Sequence, residues 1–229
     1  MATGEASVTR VQVGTSGWSY PSWKPDFYPA GTQSKQFLRF YSQTFSTVEL
    51  NTTGYRLPSE EQFERWAEQT PPGFTFAPKL AGNRPGILRE FAGRVRVLGD
   101  RLGPVRVQLK NARDEGMIEL ILGSLDPGVR VAFDLEHPSW DGIEPRLAAA
   151  GTARVNDLEH DAPFRYVRFR DPPYSDEELR AWAGRLRVVD EPTFAYFRHE
   201  DEPTAPAYAQ RLLELIDAAG AAGARSAGG

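Results

Sequence analysis

The sequence contains no cysteine, which excludes disulfide bonds, thiolate nucleophiles and thiolate metal ligands. This absence suits a reducing cytosol, although an exported protein can also lack cysteine. Only three histidines occur, His137, His160 and His199, and they form neither an HxH nor an HExxH pattern. We therefore predict no metal site, and the sequence does not specify any cofactor.

Long apolar segments are also missing. No stretch approaches the ~20 residues that cross a bilayer, and residues 1–10 lack the apolar core of a secretory signal. The net charge is −4, which argues against a surface that binds nucleic acid over a broad area. We predict a cytoplasmic protein that has no membrane partner, and we do not favour nucleic acid as a partner. The sequence does not specify the oligomeric state.

Short β-rich segments alternate with helical patterns along the 229 residues. Eight segments have the composition of strands, at residues 11–15, 47–51, 74–78, 105–109, 129–135, 152–156, 165–169 and 193–198. Capping boxes begin helices at Ser59 and Ser175, and further helical patterns cover residues 35–44, 87–98, 117–125, 146–150 and 206–219. Such alternation is typical of parallel strands joined by crossover helices.

Eight strand–helix units predict a single (β/α)₈ TIM barrel, a fold of about 250 residues. Residues 157–164 are too few for a helix, so we expect a loop between strands six and seven. A doubly wound open sheet is the alternative, but residues 14–17 do not form a dinucleotide-binding fingerprint. We assign residues 1–217 to one domain and the Ala/Gly-rich residues 218–229 to a flexible tail.

Side chains alternate between the two faces of a strand, so the polar positions of each predicted strand can be assigned to the interior. This assignment turns six cations and three anions inward: Lys79, Arg106, Arg154, Arg168, Arg170, Arg198, Glu49, Asp134 and Glu136. Burying unpaired ions is unfavourable, so stability alone does not select such an interior. A basic pocket in an acidic protein favours a small phosphate- or carboxylate-bearing ligand. The alternative is that these groups only pair with one another.

Motifs spread over nearly the whole chain point to a known family. They include residues 13–20 (VGTSGWSY), 47–59 (TVELNTTGYRLPS), 70–74 (TPPGF), 137–140 (HPSW) and 166–168 (YVR). These motifs resemble those of the YecE-like family, a domain of unknown function. The resemblance implies a TIM barrel with a polar pocket at the carboxyl ends of the strands, and it implies no established reaction. Residues 134–137 (DLEH) replace the family's usual Glu-Phe-Arg-His, and strand ends seven and eight also differ.

Four residues are predicted to be catalytic: Glu49, Lys79, Asp134 and His137. Glu49 could act as a general base, or it could form a salt bridge to Arg106 or Lys79. Lys79 could bind phosphate or donate a proton, and Schiff-base chemistry is less favoured. His137 suits proton transfer near neutral pH, but it could instead be a packing or helix-end histidine. These carboxylates and His137 could also hold a divalent ion, an alternative that we do not favour.

Thirteen further residues are predicted to bind the substrate: Ser16, Trp18, Tyr20, Asn51, Tyr55, Gln108, Glu136, Trp140, Arg168, Arg170, Tyr174, Arg198 and His199. The arginines would hold an anion, and the aromatic side chains would stack on a sugar or a base unless they only pack. We predict an enzyme (an isomerase, lyase or hydrolase) that applies acid–base chemistry to a small phosphorylated or carboxylated substrate. A non-catalytic anion-binding module and a nucleic-acid-binding or processing protein are the alternatives.

Overall fold

The computed structural model describes residues 10–199 and 202–226. The strands in this part of the chain are β1 (Val11–Thr15), β2 (Thr47–Leu50), β3 (Thr75–Pro78), β4 (Val105–Leu109), β5 (Val131–Leu135), β6 (Ala153–Arg154), β7 (Arg165–Phe169) and β8 (Thr193–Phe197). The α-helices are α1 (Phe37–Thr44), α2 (Glu60–Glu68), α3 (Pro85–Val95), α4 (Glu115–Leu122), α5 (Glu144–Ala149), α6 (Asp176–Arg187) and α7 (Thr204–Ser226). Each of the eight predicted strands overlaps one of these strands.

Local sequence signals account for where the helices begin. Ser175 caps α6 and forms the predicted capping box with Glu178, whose carboxylate accepts a bond from the Ser175 amide. Ser59 caps α2, and Pro85 occupies the first position of α3, where a missing N–H has no cost. Residues 155–164, between β6 and β7, contain turns and no helix, as their short length predicts.

The strands form three separate parallel sheets, with the orders β1-β8-β7, β2-β3 and β4-β5-β6. The prediction of a closed eight-stranded TIM barrel is therefore wrong. The ladder of backbone hydrogen bonds is interrupted between β1 and β2, between β3 and β4, and between β6 and β7. Isolated backbone bridges occur at two of these gaps, for example between Ser16 and Glu49 and between Lys79 and Arg106.

Side chains explain two of these interruptions. Between β1 and β2, the hydroxyl of Tyr41 accepts a bond from the Thr15 amide (2.8 Å) and donates one to the Thr47 carbonyl (3.0 Å). Between β6 and β7, the Asn156 side chain accepts from the Arg168 amide (2.6 Å) and donates to the Arg168 carbonyl (3.1 Å). At these positions the backbone amides and carbonyls bond to side chains, whereas in a continuous barrel they would bond to the backbone of the neighbouring strand.

Two apolar clusters hold the sheets and helices together. The larger cluster packs the helices against one face of the strands and includes Val167 and Phe169 of β7. The smaller cluster draws on strands of all three sheets and contains Ala77, Ala132, Ala153, Phe164, Tyr166, Phe194 and Tyr196. Val167 and Tyr166 therefore face opposite sides of β7, as the period of two along a strand requires. The side that carries Tyr166 also carries Arg168.

Helix α7 continues to Ser226, whereas the sequence predicts a helix ending at residue 219. It therefore includes most of the segment 218–229 for which a flexible tail is predicted, and residues 227–229 lie outside the described part. The mobility of that segment stays a prediction. None of the helices in residues 10–199 and 202–226 combines the length and the apolar character needed to cross a bilayer.

Candidate functional site

Glu49 of β2 lies at the centre of a buried network of charged side chains. Its side chain is fully buried, and its Oε1 accepts bonds from Nε (3.1 Å) and Nη2 (2.8 Å) of Arg168. The Tyr166 hydroxyl donates to its Oε2 (2.7 Å), and Arg106 Nε lies 3.1 Å from the same oxygen as an ion pair. This last contact lacks the alignment of a hydrogen bond. Both oxygens of Glu49 are therefore occupied.

Arg106 of β4 joins this carboxylate to a second one. Its Nη1 donates to Asp134 Oδ2 (2.6 Å), and its Nη2 donates to Asn51 Oδ1 (2.9 Å). The other oxygen of Asp134 accepts from Arg170 Nη2 (2.6 Å). Glu49 and the side chains linked to it form one network across all three sheets. We call this network the Glu49 cluster; its other members are Asn51, Arg106, Asp134, Tyr166, Arg168 and Arg170.

Lys79, which directly follows β3, extends this cluster. A backbone bridge places it beside Arg106, and the methylenes of its side chain pass so close to Gly54 that a Cβ there would lie 2.9 Å from Lys79 Cδ. Its ammonium lies 5.7 Å from the centre of the Tyr55 ring, and it forms no ion pair with a described residue. With Lys79, four cations face two carboxylates, so the cluster carries excess positive charge.

Protonation in the cluster follows from burial and from these charges. Burial alone would raise the pKa of Glu49, but Arg106 and Arg168, with the Tyr166 hydrogen bond, hold it below its ordinary value. Burial lowers the pKa of Lys79, and the positive charge of Arg106 lowers it further, whereas Glu49 acts in the opposite direction. Burial and the nearby Glu49 charge raise the pKa of Tyr166 well above normal. Glu49 is thus a fixed anion, and Lys79 is the cluster residue that is shifted toward losing its proton.

The structure brings together five of the predicted site residues, namely Glu49, Asn51, Asp134, Arg168 and Arg170, and it places Lys79 beside them. Two members were absent from the predicted site. Tyr166 lies two residues before Arg168 on the same strand, so the alternation of side chains was a signal that could have found it. Arg106 was counted among the cations of the interior and considered as a salt-bridge partner of Glu49, but it was not named as a site residue.

A second predicted group contacts β1. The hydroxyl of Ser16 accepts a bond from the His199 amide (2.9 Å) and lies 3.1 Å from His199 Nδ1. The Tyr20 ring stacks on the His199 ring at 4.5 Å, and the Tyr20 hydroxyl donates to the Ser16 carbonyl (2.8 Å). Because Ser16 is fully buried, these contacts fix the start of the loop after β1.

Four predicted residues pack or lie away from the cluster. Trp140 is buried, and its Nε1 donates to the Asn111 carbonyl (2.9 Å). Tyr174 packs edge-on against Phe169, and Arg198 is exposed. Tyr55 is 88% exposed, and the centre of its ring lies 5.7 Å from the Lys79 ammonium.

His137 and Glu136 follow β5, and their hydrogen-bond partners are residues other than Asp134 and Glu49. The Nδ1 of His137 lies 2.8 Å from the Ser139 hydroxyl and accepts the Ser139 amide (3.1 Å), so His137 caps the short 3₁₀ turn Pro138–Trp140. Glu136 accepts a hydrogen bond from Gln108 at the surface. The structure therefore does not join Glu49, Asp134, Glu136 and His137 into a shared ligand set.

Another group of ligand-type side chains lies elsewhere in the described residues. One atom each of Glu144, Asp157 and His160 lie within 4.8 Å of one another. Arg154 already pairs with Glu144, and His160 already bonds to Asp157 at 3.0 Å. These pairings account for the arrangement without a metal ion.

Two clefts border the ends of the strands. The first, of about 420 Å³, is lined in part by Trp18, Tyr20 and Thr52. The second, of about 380 Å³, is lined in part by Gln108 and Trp140. The predicted residues Trp18, Tyr20, Gln108 and Trp140 thus border clefts, whereas the side chains of the Glu49 cluster line neither.

Solved structures show the same fold. A DUF72 family protein of Enterococcus faecalis V583 superposes with a TM-score of 0.77, at 13% identity, over 90% of this chain and 95% of that one. An uncharacterized protein of Parabacteroides distasonis gives a TM-score of 0.59, at 11% identity, over 92% of this chain and 100% of that one. At such low identity, these likenesses concern the fold alone.

Proteins with similar sequences come from two bacteria. YunF of Bacillus subtilis is 32% identical over 192 residues, which cover 80% of this chain and 61% of YunF. YecE of Escherichia coli K12 is 29% identical over 142 residues, which cover 57% of this chain and 50% of YecE. The chain thus matches only half to three fifths of these relatives. The model of the family described as "Protein of unknown function DUF72" matches residues 12–227, and the chain therefore belongs to the DUF72 family.

Proposed function

We propose that the protein is an enzyme that binds a small phosphorylated or carboxylated molecule at the Glu49 cluster and exchanges a proton with it through Lys79. The observation that carries this proposal is the charge balance, four cations against two carboxylates, with Lys79 lacking an ion-pair partner among the described residues. An anionic ligand would supply the missing negative charge.

The contacts divide the cluster into fixed and available groups. Arg106 and Arg168 are buried and hold Glu49, so they supply a fixed positive field. Arg170 is 28% exposed, and Nη2 is its only nitrogen with a carboxylate partner in the described chain. Lys79 and Arg170 are therefore the groups that would contact an anion directly. The depressed pKa of Lys79 also suits it to accept a proton from a bound substrate and return it.

Two variants of Lys79 separate binding from proton transfer. Calorimetric titration with inorganic phosphate should show binding to the wild type and a loss of about tenfold or more in Lys79→Gln, which removes one charge-assisted contact. Lys79→Arg should keep most of the affinity, because arginine retains the charge. Lys24→Gln, which removes the same charge elsewhere, is the matched control. Equal affinity in Lys79→Gln and Lys24→Gln would overturn the proposal.

Catalysis has its own readouts. A panel of sugar phosphates and phosphorylated hydroxy acids is incubated with the protein in D₂O, and deuterium incorporation and phosphate release are followed by NMR. Turnover should disappear in Lys79→Arg, because the guanidinium does not release its proton at neutral pH.

A non-catalytic anion-binding module is the second candidate. The observation that favours it is that Glu49 and Asp134 are fully paired and that His137 caps a turn, so Lys79 alone remains for proton transfer. Phosphate binding that depends on Lys79, with neither turnover nor deuterium incorporation, would select this candidate. A nucleic-acid ligand fits less well, because the buried Arg106 and Arg168 cannot follow a polymer backbone.

A further inference from the structure

The cleft that contains Trp18 has firmly placed aromatic walls. The Trp18 ring packs edge-on against Trp66 of α2, with ring centres 5.0 Å apart and an angle of 89°. The Trp18 carbonyl accepts the hydroxyl of Tyr28 (2.5 Å), and the Tyr20 hydroxyl is bonded to Ser16. Because these rings are positioned by packing and by hydrogen bonds, the cleft is largely formed before a ligand arrives. We call it the Trp18 cleft.

The polar lining of the Trp18 cleft combines donors and acceptors. Gln62 accepts a bond from Arg65 with its amide oxygen (3.0 Å), which leaves its NH₂ group. Gln69 donates its NH₂ group to the Arg65 carbonyl (2.9 Å), which leaves its amide oxygen. Lys35 adds an ammonium group. Hydroxyl groups both donate and accept hydrogen bonds, so a ring that carries several hydroxyls matches this lining.

A short 3₁₀ turn, Asn51–Gly54, joins the Trp18 cleft to the Glu49 cluster. Asn51 bonds to Arg106 in the cluster, Thr52 lines the cleft, and Gly54 packs against the side chain of Lys79. At about 2 Å per residue in such a turn, Thr52 and Gly54 are about 4 Å apart along its axis. The lining of the cleft and the contact with the Lys79 side chain thus lie two residues apart on the same turn.

We infer that the Trp18 cleft binds the polyhydroxylated ring of a sugar phosphate whose phosphate group lies at Lys79. This inference rests on the proposed anion-binding function and names the class of its substrate. The volume of about 420 Å³ lies in the range of ligand pockets, roughly 300–1,000 Å³, and is ample for one ring. Aromatic walls would contact the apolar C–H faces of the ring, and Gln62 and Gln69 would bond to its hydroxyls.

Calorimetry with four probes tests this inference: inorganic phosphate, glucose, glucose 6-phosphate and adenosine monophosphate. At least one of the two phosphorylated probes, glucose 6-phosphate or adenosine monophosphate, should bind at least tenfold more tightly than inorganic phosphate. Glucose itself should bind weakly. Gln62→Ala should reduce that tighter affinity severalfold and leave the affinity for inorganic phosphate unchanged. Glu64→Ala, at an exposed position of the same helix, is the matched control. Trp18→Ala should have a larger effect, and Gln62→Ala provides the test if that variant does not fold.

The outcomes separate the two proposals. If inorganic phosphate binds through Lys79 but neither sugar phosphate binds more tightly, the inference about the cleft is wrong and the anion site remains. If inorganic phosphate does not bind, the proposed function fails, and the inference fails with it. Preference for the nucleotide, lost in its 2′-deoxy form, assigns the ring to a ribose, whereas preference for glucose 6-phosphate assigns it to a hexose.

Discussion

Replacing Glu49 by glutamine tests whether this buried carboxylate holds the cluster together. The change keeps the size of the side chain but removes its charge, and Arg168 loses its only ion-pair partner among the described residues. Arg106 still pairs with Asp134 in this variant, so it loses less electrostatic stabilisation than Arg168 does. Breaking a buried pair from one side costs about 3–5 kcal/mol. We expect the lower end, about 3 kcal/mol, because the amide oxygen can still accept a bond from Arg168.

Urea denaturation followed by circular dichroism measures this loss as a lower midpoint with an unchanged slope. For a chain of this size, about 3 kcal/mol corresponds to a melting temperature lower by roughly 6–12 °C. Glu136→Gln is the matched control, because Glu136 is an exposed carboxylate that follows the neighbouring β5, and its loss should cost less than about 0.5 kcal/mol.

A second substitution checks the physical cause. Arg168→Met removes the cation that Glu49→Gln leaves unpaired, so it should cost less in the Glu49→Gln background than in the wild type. The coupling energy from the double-mutant cycle should exceed about 1 kcal/mol. Additive effects, or a Glu49→Gln variant as stable as Glu136→Gln, would refute the reasoning.

The pH dependence gives an independent check with a defined sign. The pKa of Glu49 is lower in the folded protein than in the unfolded chain, where it is about 4.3. Its stabilising contribution is therefore fully present above about pH 4.3 and is lost as the pH falls toward the lower folded value. The stability difference between wild type and Glu49→Gln should be constant from about pH 6 to 8, because Glu49 is ionised in both the folded and the unfolded protein there. The difference should shrink as the pH falls below about 4.3. A difference that grows under acid would contradict this assignment.

Two further predictions concern the places where side chains replace the strand ladder. Tyr41→Phe should cost about 1–3 kcal/mol in urea denaturation, because the Thr15 amide and the Thr47 carbonyl lose their shared partner, whereas Tyr55→Phe at an exposed ring should cost almost nothing. Asn156 has a positive φ of 65°, a backbone conformation that alanine resists and glycine adopts freely. Both Asn156→Ala and Asn156→Gly lose the bonds to Arg168, so the free energy of unfolding measured in urea should be about 1 kcal/mol lower for Asn156→Ala than for Asn156→Gly. The reverse order would show that the conformation is not strained.

Much of the candidate site was predictable from the alternation of side chains along the strands. The same rule that turns Val167 and Phe169 toward the helices turns Arg168 the other way, and it applies to Glu49, Arg106 and Asp134 in their strands. Residues beyond the strand ends were harder to place. His137 and Trp140 lie beyond the end of β5, at the short turn Pro138–Trp140, where His137 caps the turn and Trp140 is buried. The alternation rule does not apply once the extended backbone ends.

The prediction of the sheet failed for a related reason. Alternating strands and helices indicate parallel pairing, and the pairing is indeed parallel wherever strands are bonded. A closed barrel also requires every neighbouring pair of strands to bond directly. The hydroxyl of Tyr41 and the amide of Asn156 take that place at two of the interruptions, and nothing in their local sequence indicates it.

The sequence by itself determined where the strands lie, which serines start α2 and α6, and which face of β2, β4, β5 and β7 carries charge, because each depends on residues a few positions apart. The same rule failed for Arg154 of β6, which was assigned to the interior but pairs with Glu144 of α5, while its neighbour Ala153 lies in the smaller apolar cluster.

Only the tertiary structure decided which charges meet. Glu49 and Arg168 are 119 positions apart, and their contact depends on how three sheets are arranged in space. That arrangement makes Glu49 a locked anion and leaves Lys79 without an ion-pair partner in the described chain, because ionic contacts depend on distances that local patterns do not encode.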